Sequence, residues 1–228
     1  MELAQLAVFV RPPTAGRVKT RLGALFGERG AAELYQAFVE DTLHLCSRVR
    51  AAGRVDVALW SAGPQDDIVS EWASRLGVPV RLQPEGDLGV KLVTAFEEGL
   101  RRYQRVVIIG SDAPSLPIEH IGAAFDALER APMVLGPAND GGYYAIGATH
   151  SVQPSFERVR WSTRHALRDT ARANAQLQIA TIGPWYDIDE PEDLAVLRAH
   201  LSLDPGVAPA TARHLTQLLA LKGRASST

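Results

Sequence analysis

The sequence has little cysteine, little excess charge and no long apolar run, and each shortage excludes a class of protein. Its single cysteine, Cys46, excludes an internal disulfide framework and a cysteine-rich zinc site. The 24 basic and 26 acidic side chains give a net charge of −2, which offers no electrostatic footprint for duplex nucleic acid or an anionic membrane. No stretch reaches the roughly 18 consecutive apolar residues of a membrane-spanning helix. We therefore expect a cytoplasmic protein that binds neither nucleic acid nor membrane.

Short apolar runs rich in β-branched residues alternate with helical patterns along the chain. The runs cover residues 6–10, 55–60, 78–82, 106–109, 133–135, 143–146 and 179–182. Helical spacing of apolar residues or helix-start signals mark residues 30–49, 88–103, 118–128, 163–173, 191–201 and 211–221. Hydrophobic strands that alternate with amphipathic helices predict a three-layer α/β fold, a mostly parallel sheet with helices on both faces.

The length of 228 residues favours one large domain rather than two small ones. We expect this domain to cover residues 1–202. A linker rich in proline and glycine over residues 203–209, a last helix and a frayed tail over residues 224–228 are predicted to follow it.

Ligands of an open parallel sheet bind at the carboxyl ends of its strands, so the residues that follow each strand are the candidates for function. The loop after the first strand carries four cations, a flexible glycine and a hydroxyl, which are Arg11, Arg17, Lys19, Arg21, Gly16 and Thr20. Lysine and arginine donors on a strand-to-helix loop suit a polyphosphate. A solvated basic loop without a ligand is an equally weighted alternative. The loop lacks the glycines of a Walker A motif.

Carboxylates follow two further strands. Asp112 stands after residues 106–109 in a loop stiffened by two prolines, where it could ligate Mg²⁺ or Mn²⁺ or instead cap the next turn. Asp187 and Asp189 alternate at the end of the last strand, so at least one of them could reach the same metal, although acids at a helix start are common. Two distant carboxylates and a cationic loop are the parts required for metal-assisted transfer at phosphorus or at an anomeric carbon.

A glycine pair stands after residues 133–135, within Asn139-Asp140-Gly141-Gly142-Tyr143. A hairpin turn is the commoner interpretation, but the glycines also permit a bulky substrate to approach the backbone closely. Tyr143 and Trp161 are candidates for acceptor specificity, although aromatic side chains are as often part of a core. Ser111 and Cys46 have no identifiable base partner, so we do not expect a covalent nucleophile.

Five ordered motifs resemble the DUF2064 family of GT-A-fold transferases, which are often labelled glycosyltransferases associated with arsenosugar biosynthesis. The motifs cover residues 16–22, 110–114, 136–144, 161–163 and 187–194 within a match from about residue 7 to residue 197. The architecture is also similar to that of molybdenum-cofactor and phospholactate guanylyltransferases. This resemblance implies a GT-A, nucleotide-diphospho-sugar transferase-like fold.

The resemblance also implies roles for single residues. Lys19 and Arg21 would contact phosphates, and Asp112 would hold the metal with Asp189 or Asp187 as its second carboxylate; the catalytic set is then Asp112, Lys19 and Arg21. Further residues implied in nucleotide or phosphate binding are Arg11, Gly16, Thr20, Asp87 and Lys91, and those implied in substrate binding are Asp140, Gly141, Gly142, Tyr143 and Trp161. The family usually has lysine at position 11 and Gly-Asp-Leu-Gly-Glu-Arg where residues 86–91 stand.

Three functions are therefore weighed. The first is nucleotidyl transfer from a nucleoside triphosphate to a small phosphorylated acceptor, with Mg²⁺ or Mn²⁺ as the cofactor. The second is glycosyl transfer from a nucleotide sugar on the same scaffold. The third is a non-catalytic nucleotide-binding module, against which the retained carboxylates argue. The sequence leaves open whether the protein is a monomer or a homodimer.

Overall fold

Seven strands form one sheet in the computed structural model, which describes residues 4–53, 55–63 and 66–225. The strands are β1 (Ala4–Val10), β2 (Asp56–Ser61), β3 (Val80–Leu82), β4 (Arg105–Ile109), β5 (Met133–Pro137), β6 (Tyr143–Thr149) and β7 (Ile179–Thr181). Their order in the sheet is β3-β2-β1-β4-β6-β5-β7. Strand β6 is antiparallel to both β4 and β5, and the other described pairings are parallel. The predicted mostly parallel sheet is thus confirmed.

Helices connect and cover the strands. They are α1 (Gly23–Ala51), α2 (Asp67–Leu76), α3 (Leu88–Leu100), α4 (Ile118–Ala127), α5 (Ala166–Ala173), α6 (Asp193–Leu203) and α7 (Pro209–Ala225). The sequence patterns missed α2, a short helix capped by Asp66, whose side chain accepts a hydrogen bond from the backbone N–H of Ile68 at 2.9 Å. Helix α1 begins before the predicted residue 30, across a kink at Gly27. None of the helices within the described ranges combines the length and the apolar character needed to cross a membrane.

The two faces of the sheet carry separate hydrophobic clusters. Alternate residues of β4 point to opposite faces, with Val107 and Ile109 in one cluster and Val106 and Ile108 in the other. Helices α1, α2, α4, α6 and α7 contribute buried residues to the first cluster, and α3 and α5 contribute to the second. The molecule therefore has the three layers expected from its pattern.

The chain after β5 returns as a hairpin. Strands β5 and β6 pair antiparallel, and the turn between them is closed by a hydrogen bond from Ala138 N to Gly142 O at 3.0 Å. The hairpin interpretation of the glycine pair is therefore confirmed. Because β6 lies between β4 and β5, this turn reaches the edge at which β4 ends.

Helix α7 packs against α1 and belongs to the first cluster through Leu215 and Leu218. A side chain of α1 caps its first turn: the carboxylate of Asp41 accepts hydrogen bonds from Ala210 N at 2.9 Å and Thr211 N at 2.8 Å. The division of the chain at residue 203 stays a prediction. Of the tail predicted over residues 224–228, residues 226–228 lie outside the described residues, and the preceding residues belong to α7.

Candidate active site

Three side chains from distant parts of the sequence meet at the carboxyl edge of the sheet. The ammonium of Lys19 lies 2.5 Å from Oδ1 of Asp112 and 2.7 Å from Oδ1 of Asp189. Lys19 stands in the loop after β1, and Asp112 follows β4, the neighbour of β1 in the sheet. Asp189 precedes α6. The topology thus brings together the cationic loop and the two carboxylates.

The backbone near Asp189 is anchored to the loop that carries Asp112. Ile188 N donates a hydrogen bond to Asp112 O at 2.9 Å, and the Ile188 side chain is fully buried in the core. The carboxylate of Asp193 accepts hydrogen bonds from Asp189 N at 3.0 Å and Glu190 N at 2.8 Å. This buried isoleucine between two acids explains the alternating Asp-Ile-Asp pattern.

Lys19 is held in an unusual backbone conformation. Its φ of 44° and ψ of 42° are left-handed, and its side chain is only 3% exposed, whereas those of Asp112 and Asp189 are 47% and 50% exposed. Burial lowers the pKa of Lys19, but attraction by Asp112 and Asp189 outweighs burial and raises the pKa above its ordinary value. The lysine therefore stays charged at neutral pH.

Asp187 and Asp140 are two further acids near Asp112 and Asp189. Burial, followed by repulsion from Asp140 and Asp189, raises the pKa of Asp187 to about 7. Two carboxylates whose Oδ1 atoms face one point and whose side chains are about half exposed fit Mg²⁺ or Mn²⁺, since Mg²⁺ is usually held by one or two carboxylates together with waters and substrate phosphates. Among the described residues, no three His, Cys, Asp or Glu side chains are arranged to hold a metal ion. The assignment of Asp187 as a ligand stays a prediction.

A cleft with a cavity volume of about 250 Å³ opens beside Asp112. Its polar lining residues include Arg11 and Lys91, and its apolar lining residues include Phe9 and Leu88. Burial, and then the nearby charge of Arg11, lowers the pKa of Lys91, so these two cations lie close to each other. Paired cations next to an apolar wall suit an anionic ligand with a flat apolar part.

A hydrogen-bonded chain ties α1 to the cleft. Arg11 N donates to the Tyr35 hydroxyl at 3.0 Å, and the hydroxyl of Ser111 donates to Phe9 O at 3.1 Å. The Tyr35 hydroxyl lies 2.8 Å from Oγ of Ser111, and it is the donor of that pair because the Ser111 proton is already used. Burial, followed by repulsion from Asp112, raises the pKa of Tyr35 to about 12. Sequence reasoning missed this tyrosine; its hydroxyl on a buried helix face was the available signal.

The other predicted residues of the first loop lie around Lys19. Arg21 forms an exposed ion pair with Glu190, with 2.8 Å between Nη1 and Oε1, next to Asp189. Gly16 has a φ of 72°, and a Cβ there would approach the Glu28 carboxylate at 3.0 Å. Thr20 is exposed and begins a short 3₁₀ helix, Thr20–Leu22.

Two predicted residues have mainly structural contacts. The carboxylate of Asp87 caps α3 by accepting a hydrogen bond from Val90 N at 3.0 Å, and it lines a groove on the far side of α3 rather than the cleft. Trp161 packs against Phe156, with 6.0 Å between the ring centroids, and against Gly89 of α3. Neither residue is among those that line the cleft beside Asp112.

The predicted substrate residues of the hairpin turn lie near the acids. Asp140 Oδ1 accepts a hydrogen bond from Gly142 N at 2.7 Å, which stabilises the turn. Gly141 has a φ of 88° and its carbonyl accepts from Leu167 N at 3.0 Å, so the turn is pressed against the start of α5. Tyr143 lines the cleft, and burial raises the pKa of its hydroxyl.

The strand order, with one antiparallel strand next to β4, and the cleft at the strand ends define an α/β fold of the nucleotide-diphospho-sugar transferase type. The chain belongs to the DUF2064 family, described as "uncharacterized protein conserved in bacteria", which matches residues 42–163. That match includes the motifs at residues 110–114, 136–144 and 161–163. The motifs at residues 16–22 and 187–194 lie outside it.

Several known proteins are similar over most of the chain. A 2-phospho-L-lactate guanylyltransferase from Methanothermobacter thermautotrophicus is 27% identical over 80% of this chain and 79% of its own. A phosphoenolpyruvate guanylyltransferase from Mycolicibacterium paratuberculosis is 26% identical over 91% of each chain. A structure from Desulfovibrio desulfuricans G20, described as a "putative nucleotide-diphospho-sugar transferase", is 30% identical over 97% of each chain with a TM-score of 0.86.

A more distant structure shares the fold. Rv0371C from Mycobacterium tuberculosis H37Rv in complex with manganese is 15% identical, covers 86% of this chain and 98% of its own, and has a TM-score of 0.52. At this identity the likeness concerns the fold alone.

Proposed function

We propose that this protein is a metal-dependent nucleotidyltransferase that transfers a nucleoside monophosphate from a nucleoside triphosphate to a small phosphorylated acceptor. The observation that carries the proposal is the convergence of Lys19, Asp112 and Asp189 beside a cleft with two further cations. The names of the two guanylyltransferase relatives support nucleotidyl transfer over the alternatives.

The cations would bind the polyphosphate. Arg11 and Lys91 line the cleft, and Lys19 contacts Asp112 of its lining. Arg21 lies two residues after Lys19, in the short 3₁₀ helix. Asp112 and Asp189 would hold Mg²⁺ or Mn²⁺, with Asp187 as a nearby third acid. A bound divalent ion would supply charge neutralisation and orientation of the phosphates. Fixed positive charge next to the leaving group stabilises the charge that develops on it.

The reaction requires no general base. A phosphomonoester has a second pKa of about 6, so an acceptor phosphate is mostly dianionic at neutral pH. One of its oxygens would attack the α-phosphorus, a new P–O–P linkage would form, and the bond between the α-phosphorus and the bridging oxygen to the β-phosphorus would break. Pyrophosphate leaves with the bonding electron pair, and no proton needs to be moved.

The acceptor would enter from the side of the hairpin turn. Asp140, Gly141 and Gly142 form that turn, and Tyr143 extends from it into the wall of the cleft. The glycines allow an acceptor to approach the backbone closely. Trp161 would act here only through its packing on α3, since it does not line the cleft.

A pyrophosphate-release assay tests the proposal. The full chain is mixed with Mg²⁺, each of the four nucleoside triphosphates and either 2-phospholactate or phosphoenolpyruvate. We expect release with one triphosphate and a loss of about 100-fold or more in Asp112→Asn, as for removal of a group that stabilises the transition state. Asp126→Asn, which removes an exposed acid on α4, is the control and should keep full activity.

Glycosyl transfer is the second candidate, favoured by the description of the 30% identical structure. It predicts release of a nucleoside diphosphate from a nucleotide sugar, without pyrophosphate. That product from a nucleotide sugar, together with no turnover of any triphosphate, would reject nucleotidyl transfer. Binding of nucleotide without any product would instead indicate the non-catalytic module.

A further inference from the structure

The ammonium of Lys19 lies between the two carboxylates that we assign to the metal. It contacts Oδ1 of Asp112 at 2.5 Å and Oδ1 of Asp189 at 2.7 Å. Those two oxygens therefore face one common point, and a cationic nitrogen lies at that point. The side chain of Lys19 is nearly fully buried there and its nitrogen also lies 5.7 Å from the centre of the Phe38 ring.

Lys19 and a divalent ion exclude each other from this position. Mg²⁺ binds oxygen at about 2.0–2.1 Å, so an ion bound to both Oδ1 atoms would overlap the ammonium. Even an ion placed a few ångströms away would be repelled by the positive charge, because the surroundings are partly desolvated. A metal can therefore take both carboxylates only after the lysine has moved.

A polyphosphate offers Lys19 another partner. Asp112, which pairs with Lys19, also lines the cleft that holds Arg11 and Lys91. Lys19 stands in the loop between β1 and the short 3₁₀ helix, and its ammonium is carried by a flexible four-carbon side chain. A short swing from the carboxylates to phosphate oxygens in the cleft would keep its charge paired.

We propose that Lys19 is an internal counter-ion that keeps a divalent metal from Asp112 and Asp189 until the phosphates of a nucleoside triphosphate bind its ammonium instead. Metal binding is then conditional on nucleotide, and the lysine changes from a carboxylate partner to a phosphate partner in one movement. This inference rests on the proposed function, which supplies the triphosphate and the metal.

Arg21 provides a matched control for charge. Its side chain is 65% exposed and pairs with Glu190 rather than with Asp112 or Asp189. Replacement of Arg21 by methionine removes one positive charge near the acids, as replacement of Lys19 does. Only the Lys19 replacement frees the two Oδ1 atoms.

Titration of the full chain with Mn²⁺ alone, followed by the electron paramagnetic resonance signal of free Mn²⁺, tests the inference. We expect weak binding to the wild type and binding about 10-fold tighter or more for Lys19→Met and Lys19→Gln, because a bound cation has been removed. Arg21→Met should gain less than about 3-fold, as expected for partly screened surface charge. The double variant Lys19→Met with Asp112→Asn should lose the gain. Circular dichroism and thermal unfolding establish that each variant is folded.

Equilibrium dialysis with GTP, or with the triphosphate that gives turnover, measures the nucleotide dependence. The wild type should retain about one Mn²⁺ per chain with nucleotide and much less without it, and Asp112→Asn should retain less in both cases. Equal Mn²⁺ affinities for wild type and Lys19→Met, or an equal gain in Arg21→Met, would overturn the inference. If the wild type then still released pyrophosphate, the proposed function would stand. A gain in Mn²⁺ affinity in Lys19→Met, together with no turnover of any triphosphate by the wild type, would reject the proposed function while supporting the competition.

Discussion

At the scale of single residues, the Tyr35 hydroxyl joins three separate segments. It accepts a hydrogen bond from Arg11 N after β1 and donates one to Ser111 after β4, while Tyr35 itself lies on α1. Arg11 and Ser111 both line the cleft. We infer that this hydroxyl holds the two loops at a fixed distance from each other, and thereby positions the residues that would receive the nucleotide.

We predict that Tyr35→Phe weakens nucleotide binding as well as stability. Loss of a buried hydroxyl should lower the free energy of unfolding by about 1–2 kcal/mol. Release of Arg11 N should raise the Kd for the nucleotide several-fold. Urea denaturation and isothermal titration calorimetry measure the two effects.

Tyr103→Phe is the matched control for this change. It removes a hydroxyl that donates to Asp56 at 2.7 Å. Asp56 is the first residue of β2, so this contact lies at the amino ends of the parallel strands, opposite the cleft. Its cost in stability should be similar, but nucleotide affinity should not change. A similar loss of affinity in both variants would contradict a positioning role for Tyr35.

At the scale of elements, the β5–β6 turn depends on contact with the segment before α5. A Cβ on Gly141 would overlap the backbone carbonyl of Arg164, and the φ of 88° is itself unfavourable for other residues. The same glycine accepts a hydrogen bond from Leu167 N. The turn that would meet the acceptor is therefore supported by a second loop, which a local turn pattern does not reveal.

We predict that Gly141→Ala is more costly than an ordinary replacement at positive φ. Gly77, the C-cap of α2, has a φ of 63°, and a Cβ there would meet only the end of the Arg50 side chain at 3.7 Å. Gly77→Ala should therefore cost about 1 kcal/mol. Gly141→Ala should cost about 1–3 kcal/mol more, because backbone must move to remove the overlap. Thermal unfolding of both variants compares the costs, and equal values would mean that the contact with Arg164 yields easily.

At the scale of the whole molecule, the end of the chain is bound to its first helix. Asp41 is 5% exposed, and its carboxylate caps the start of α7, where Ala208 has no side chain that could do so. Burial raises the pKa of Asp41, while the hydrogen bonds from Thr211 and Ala210 oppose that rise. Helix α7 thus completes the layer that covers one face of the sheet.

We predict that Asp41→Ala lowers the free energy of unfolding by about 2–3 kcal/mol, because two buried backbone donors lose their acceptor. Asp41→Asn, which keeps one acceptor, should lose less. Asp66→Ala, which removes the local cap of α2, should cost about 1 kcal/mol. Chemical denaturation followed by circular dichroism gives all three values. If Asp41→Ala cost no more than Asp66→Ala, the capping of α7 by Asp41 would contribute little.

The sequence by itself determined the element pattern and the class of fold. Of the elements within the described residues, all seven strands and six of the seven α-helices follow from hydrophobic periodicity or helix-start signals, because burial on one or both faces dictates which positions are apolar. The rule that ligands meet strand ends then pointed to the cationic loop that holds Lys19, to Asp112 and to the pair Asp187 and Asp189. Their roles in metal and phosphate binding stay predictions.

Only the tertiary structure decided how those parts meet. Lys19 and Asp189 are 170 positions apart, and no local pattern encodes that the ammonium of one lies between two carboxylates. The place of β6 between β4 and β5 and the hydrogen bonds of Tyr35 likewise depend on how the layers pack. Periodicity reports whether a side chain is buried, whereas its partner is set by the three-dimensional packing of distant elements.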